Sequence, residues 1–151
     1  MAADRSYVAE NRAQLERLRA LTDKLNDQQL AGPMEAGWTV AGVLAHLAFW
    51  DERVVTLIDH WDEGRGAPPP GYDEAGVDWI NDAGKLLCLA LPPRVAARLA
   101  VAAAVAADER VAGLSEAQLA ANAAAGSPIS VRRAEHRREH LDEIEQILAR
   151  R

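Results

Sequence analysis

Cys88 is the only cysteine of this chain, so no internal disulfide can form. It sits in LLCLAL, where no cationic neighbour would lower its pKa, and it reads as a packed, inert thiol rather than a nucleophile. Aromatic residues are scarce as well: four tryptophans, two tyrosines and one phenylalanine. With 49% hydrophobic residues, the core must then be built from Leu, Val and abundant Ala, which favours closely packed helices and an all-α fold. Positive charge is in deficit, with 17 Lys and Arg against 23 Asp and Glu and a net charge of −6. That balance argues against nucleic acid as a partner and against attraction to an anionic membrane surface. The opening MAADRSYVAENR lacks the apolar core of a signal peptide, so a cytoplasmic location is expected. The most apolar stretch, Leu86 to Ala107, is broken by Pro92, Pro93, Arg94 and Arg98. It reads as a core helix beginning at the prolines, not as a membrane span.

What is present suffices for one domain. A chain of 151 residues buries roughly 70% of the surface that its unfolded form exposes, and residues 1–151 are read as a single unit. Val8, Leu15, Leu18, Leu21 and Leu25 recur at helical steps between charged residues, which predicts a first helix over Ser6 to Leu25. Thr39 can cap a second helix whose apolar face runs from Val40 to Trp61, and Gly64-Arg65-Gly66 ends it. Ala67 to Gly76, with its run of prolines, is expected to be a non-helical crossover, followed by a short extra helix around Val77 to Leu89. Pro92-Pro93 open a third long helix to Leu114, and Ser130 can cap a fourth from Val131 to about Ala149.

A weak internal repeat supports this division. Leu25 to Ala31 matches Leu114 to Ala120 in residue type and order, and Asn26 with Gln29 and Ser115 with Gln118 both have capping-box spacing. Each is followed by a loop, then Thr39-Val40 or Ser130-Val131, then a helix that carries a histidine. His46 and His136 lie at similar depths in those helices, and would meet if the two are adjacent and parallel.

The histidines carry the chemistry. His136 and His140 in HRREH are four apart, so on a helix they project from one face about 6 Å apart along the axis and can share an ion. His46 supplies the third imidazole. Taken alone, His46 would be a hydrogen-bonded core histidine, and the pair would be part of a solvated helix among Arg132, Arg133, Glu135, Arg137, Arg138 and Glu139. The joint pattern favours a metal site. His60 is about 21 Å along the helix from His46, too far to share the ion. HRREH lacks a Glu directly after its first histidine, so it is not the metalloprotease pattern.

The segments GWTVAGVLAHLAFWDERV and AEHRREHLDEI together resemble the DinB/YfiT-like superfamily, in element order across the whole chain. The resemblance implies a four-helix bundle with a long crossover between the second and third main helices. It also implies that His46, His136 and His140 bind a divalent metal. Relatives include thiol-dependent transferases and mycothiol-dependent maleylpyruvate isomerases.

Imidazole nitrogens suit zinc, nickel or iron, and three of them leave positions open for water or substrate. The expectation is therefore a metal-dependent small-molecule enzyme of thiol-transferase or isomerase type, using a low-molecular-weight thiol. The alternative is a non-catalytic bundle that binds a small molecule or metal, or acts as a dimer module, the homodimer being the commonest assembly among soluble oligomers. Glu139 and Glu143 are candidate hydrogen-bond partners for the bound imidazoles. Trp50 could wall the pocket or simply fill the core, and Arg53 could receive an anionic substrate or form a surface pair. Asn81 and Trp79 are candidates to close the site from the crossover.

Overall fold

The computed structural model describes residues 2–151, and every regular element among them is helical apart from one isolated bridge between Pro33 and Thr39. The order is α1 (Tyr7–Lys24), α2 (Asp27–Leu30), a 3-10 turn (Glu35–Gly37), α3 (Val40–Asp62), α4 (Glu74–Ala90), α5 (Pro93–Ala112), α6 (Glu116–Ala124) and α7 (Arg133–Ala149). No helix among the described residues is long and apolar enough to cross a membrane.

Local chemistry explains most helix starts. Thr39 Oγ1 accepts a hydrogen bond from Gly42 N at 2.9 Å, and the prolines preset the first turn of α5. Both capping boxes form, Asn26 with Gln29 and Ser115 with Gln118. Two starts differ from expectation. The extra helix is not short: α4 spans 17 residues and begins at Glu74, because Asp73 Oδ1 caps Gly76 N at 2.7 Å. The fourth main helix begins at Arg133 rather than Val131, and Ser130 does not cap it. Its cap comes from α1: Asn11 Oδ1 accepts from Ala134 N at 2.9 Å while Asn11 Nδ2 donates to Val131 O at 2.9 Å.

The contacts fix the helix directions. Arg110 on α5 meets Asp59 on α3, and Leu99 faces the groove beside Ala48, so α3 and α5 run the same way and pack along most of their lengths. Likewise α1 and α7 run together, with Asn11 at Ala134 and Arg17 at Asp142 and Glu145. α4 returns against α3, with Trp50 meeting Asn81 and Gly42 lying beside Leu89. That return stroke lets the chain enter α5 in the direction of α3.

The interior forms two apolar clusters. One gathers Leu18, Leu25, Leu44, Leu47, Leu141 and Ile144 around an alanine row on α5 that includes Ala96, Ala100 and Ala104. The other joins Tyr7, Val54, Ile58, Val111 and Ile129. Alanine lets neighbouring helices approach closely, which is how a core with few aromatics is filled.

The repeat extends beyond the capping boxes. Arg94, at the start of α5, donates to Thr22 O, Leu25 O and Asp27; Arg5, before α1, donates to Ala112 O, Leu114 O and Glu116. Arg5 and Arg94 are separated by the same number of residues as Leu25 and Leu114, and as Asp27 and Glu116. Each arginine thus caps the C-terminal end of the other half's first helix, where orphan carbonyls and the helix dipole favour a cation.

Candidate metal centre

α3 and α7 bring His46, His136 and His140 together. The Nε2 atoms of His46 and His136 lie 3.1 Å apart, as do those of His140 and His136. One ring nitrogen from each histidine falls within 4.8 Å of the others, a grouping that could hold a metal ion. The helices meet in opposite directions rather than parallel. His46 faces His136 and His140, and five residues later Asp51 faces Arg133 and Arg137. Equal depth is therefore not what unites the histidines; they sit where two antiparallel helices pass.

The ring chemistry favours neutral ligands. Burial first, and then the neighbouring His140, lowers the His46 pKa from 6.5 to about 4. For His136, burial and then His140, His46, Arg133 and Arg137 lower it to about 2. His140 Nδ1 lies 2.9 Å from Glu143 Oε2. An ionised carboxylate only accepts, so Nδ1 carries the proton and a neutral ring then keeps its lone pair on Nε2, facing the cluster. The Trp38 ring stands edge-on to His46 at 5.9 Å between centroids.

The histidines line a pocket of about 660 Å³. Met34, Trp38, Val43 and Ile147 form its apolar wall, and Asn81 and Gln146 add neutral polar groups. Glu35, Asp78, Asp82, Glu139 and Glu143 bring carboxylates to it, against the single guanidinium of Arg150. Glu139 thus borders the pocket without a hydrogen bond to an imidazole, whereas Glu143 makes one.

The other sequence candidates lie elsewhere. Trp50 donates from Nε1 to Asn81 Oδ1 at 2.9 Å and does not line the pocket. Arg53 stacks on the Trp50 and Tyr72 rings, 5.8 and 5.2 Å from their centroids, and also lies outside it. Trp79 is 78% exposed and does not close the site. His60 stays in the last turn of α3, apart from the cluster.

Next to the histidines runs a buried ionic network that the sequence presents as surface charge. Arg133 Nε donates to Asp51 Oδ1 at 2.8 Å, and Arg137 Nη2 bridges Asp51 Oδ2 at 3.3 Å and Asp108 Oδ1 at 2.7 Å. Arg137 also donates to the carbonyls of Asn11 and Ala104. The network ties α3, α5 and α7 together beside His136. Its one sequence signal is the four-residue spacing of Arg133 and Arg137, which places both on the buried face of α7 with Leu141 and Ile144.

Comparison with curated proteins and with solved structures returns no match. A family model described as the DinB superfamily matches residues 10–144, a span that contains all three histidines, both capping boxes and the whole of α3, α4 and α5. The chain therefore belongs to the DinB superfamily.

Proposed function

We infer that this protein is a divalent-metal-dependent enzyme acting on a small molecule, of thiol-transferase or isomerase type and cytoplasmic, with α1, α3, α5 and α7 as the four helices of the family bundle. The observation that carries the reading is the convergence of three Nε2 atoms on the wall of an open pocket. Nitrogen ligands at ~2.0–2.1 Å from one ion stand roughly 2.9–3.4 Å apart, octahedral angles giving the lower figure and tetrahedral angles the upper. The 3.1 Å spacings of His136 from His46 and from His140 fall in that range. The donor set fits zinc, nickel or iron.

His46, His136 and His140 would hold the ion, and Glu143 would fix the His140 ring through its Nδ1 proton. A divalent ion there lowers the pKa of a bound thiol or water and polarises a carbonyl. Trp38, Val43 and Met34 shield that side of the pocket from water, while Asn81 and Gln146 offer donors and acceptors to orient a substrate. The Glu139 carboxylate is available to take up a thiol or substrate proton. Because carboxylates outnumber the single Arg150, a substrate that is neutral or cationic at its pocket-bound end suits this lining better than the anion that Arg53 would receive.

Elemental analysis of tag-free protein beside His46→Ala and His136→Ala tests the reading. One equivalent of divalent metal, lost in both variants, is expected. Turnover that needs both that metal and a low-molecular-weight thiol would identify the enzyme class. Protein that neither carries metal nor takes up zinc, nickel or iron would sink it, and saturable ligand binding without turnover would favour a binding bundle.

A further inference from the structure

α4 is apolar on two opposite sides, and its protomer covers only one. Val77, Ile80, Cys88 and Leu89 face inward and are partly buried. On the other side Trp79, Ala83, Leu86 and Ala90 recur at steps of four, three and four, the spacing of a helix–helix seam. Trp79 is 78% exposed, Leu86 77% and Leu87 73%, and no residue of this 17-residue helix is fully buried. An apolar stripe on a helix ordinarily faces a core or another helix.

Beside the stripe lies an apolar groove of about 450 Å³ between α3, α4 and α5, walled by Phe49, Leu87, Leu91 and Leu99. Phe49 is 50% and Leu99 44% exposed. The exposed parts of Phe49, Trp79, Leu86, Leu87 and Leu99 amount to roughly 700 Å² per chain, close to the ~800 Å² that a stable interface takes from each partner and above the ~300–600 Å² of the largest patch on an ordinary monomer.

We propose that this face is the interface of a homodimer, with the twofold axis passing near Ala83 and the two α4 helices antiparallel. The chain carries both halves of the contact. Residue 83 is midway between Trp79 and Leu87, so that axis sets each Trp79 against the partner's Leu87, at the wall of the partner's groove. A protruding indole meets an apolar hollow twice, and the small Ala83 lets the helices approach at the crossing. Such self-complementarity is what a twofold interface requires and an unrelated partner would not explain. Asp78 and Asp82 lie on the flank of α4 that lines the histidine pocket, which leaves the α4 stripe uncharged, and Glu52 of α3 is the charged side chain that lines the groove.

Sedimentation equilibrium from low to high micromolar protein tests the assembly. Wild type is expected as a dimer, with Trp79→Glu and Leu87→Glu each weakening association by ~10-fold or more, since a buried charge replaces an interface anchor. The position of the axis is tested in a Cys88→Ser background. Ala83→Cys should cross-link to a disulfide dimer on mild oxidation, and Glu16→Cys on α1 should not. Glu16, Trp79, Ala83 and Leu87 are exposed in the protomer, so each of their substitutions is expected to leave the helical circular dichroism of its parent protein unchanged; should a glutamate variant unfold, the Ala83→Cys cross-link decides. Monomeric wild type overturns the proposal. So does a dimer that tolerates both glutamates, an Ala83→Cys variant whose thiol stays reduced, or equal cross-linking at position 16.

Discussion

Asp51 and Arg137 form a salt bridge at 3.3 Å where neither residue is more than 2% exposed. Arg133 closes on the other oxygen of Asp51 at 2.8 Å, so one carboxylate of α3 holds two guanidinium groups of α7 a single turn from His136. Asp108 supplies the second negative charge and leaves the cluster neutral. Taking charges out of water is costly, and such a network is tolerable only when its groups are satisfied together. No buried side-chain nitrogen or oxygen among the described residues lacks a partner.

Removing one member should therefore be worse than its own bonds suggest. Asp51→Asn leaves two buried guanidinium groups facing one carboxylate, and a loss of ~3–5 kcal/mol in unfolding free energy is expected from breaking a buried pair. Urea denaturation of the metal-free protein measures it. A loss below about 1 kcal/mol, in the range of exposed pairs, would mean that water reaches the cluster.

Asn11 acts across a far longer stretch of sequence. Its side chain accepts from Ala134 N and donates to Val131 O, so it serves as the cap that α7 lacks within its own segment. Asn11→Ala should cost ~1–2 kcal/mol, as loss of a cap does. Asn11→Asp keeps the acceptor and loses the donor, and should recover part of that. Equal losses in the two variants would show that the bond to Val131, not the cap, dominates.

Two helical glycines should respond with opposite signs. A Cβ on Gly84 would meet nothing within 4 Å, so Gly84→Ala should stabilise α4 by up to ~1 kcal/mol through helix propensity alone. A Cβ on Gly42 would come 2.8 Å from Leu89 Cδ2 and 3.1 Å from Thr39 Oγ1, the cap of α3. Gly42→Ala should therefore lose stability despite the better propensity, because the Leu89 side chain and the Thr39 cap must both give way. Thermal melts of the two variants decide it, and a higher Tm for Gly42→Ala would show that Leu89 swings away without cost.

Parts of this arrangement were legible in the sequence because their causes are local. Asn26 with Gln29, and Ser115 with Gln118, carry their capping partners within four residues. The spacing of His136 and His140 follows from helix geometry alone. What stayed hidden depends on partners remote in the chain. Arg133 and Arg137 look solvated in a run rich in charge until Asp51 and Asp108 arrive from other helices. The start of α7 could not be read from Ser130, because its cap lies 123 residues away from Ala134. Trp50 and Arg53 share the helical face of His46 by spacing, yet Asn81 on α4 takes the indole N–H and the Tyr72 ring covers the guanidinium. In the crossover, the prolines obscured Asp73, the residue that starts α4.

The histidines give the metal-free protein a pH dependence whose sign follows from burial. His46 and His136 have pKa values lowered from 6.5 to about 4 and about 2. The unfolded chain therefore takes up protons below pH ~6.5 that the folded chain refuses, and stability falls with pH from there toward ~4. Above pH ~6.5 both states hold neutral rings, and this contribution is complete. Replacing both by glutamine should flatten the Tm profile between pH 6.5 and 4 without reversing it, because a carboxylate such as Glu116, held below its ordinary value by the Ala3 N–H and by Arg5, also loses its stabilising contacts in acid. Added zinc should raise the wild-type Tm at pH 7.5 by binding only the folded state, and the increment should shrink toward pH 5 as protons compete for the same nitrogens. The glutamine variant should show no increment at either pH. A zinc increment that is equal at pH 5 and 7.5, or that survives the double replacement, would place the metal on ligands other than these imidazoles.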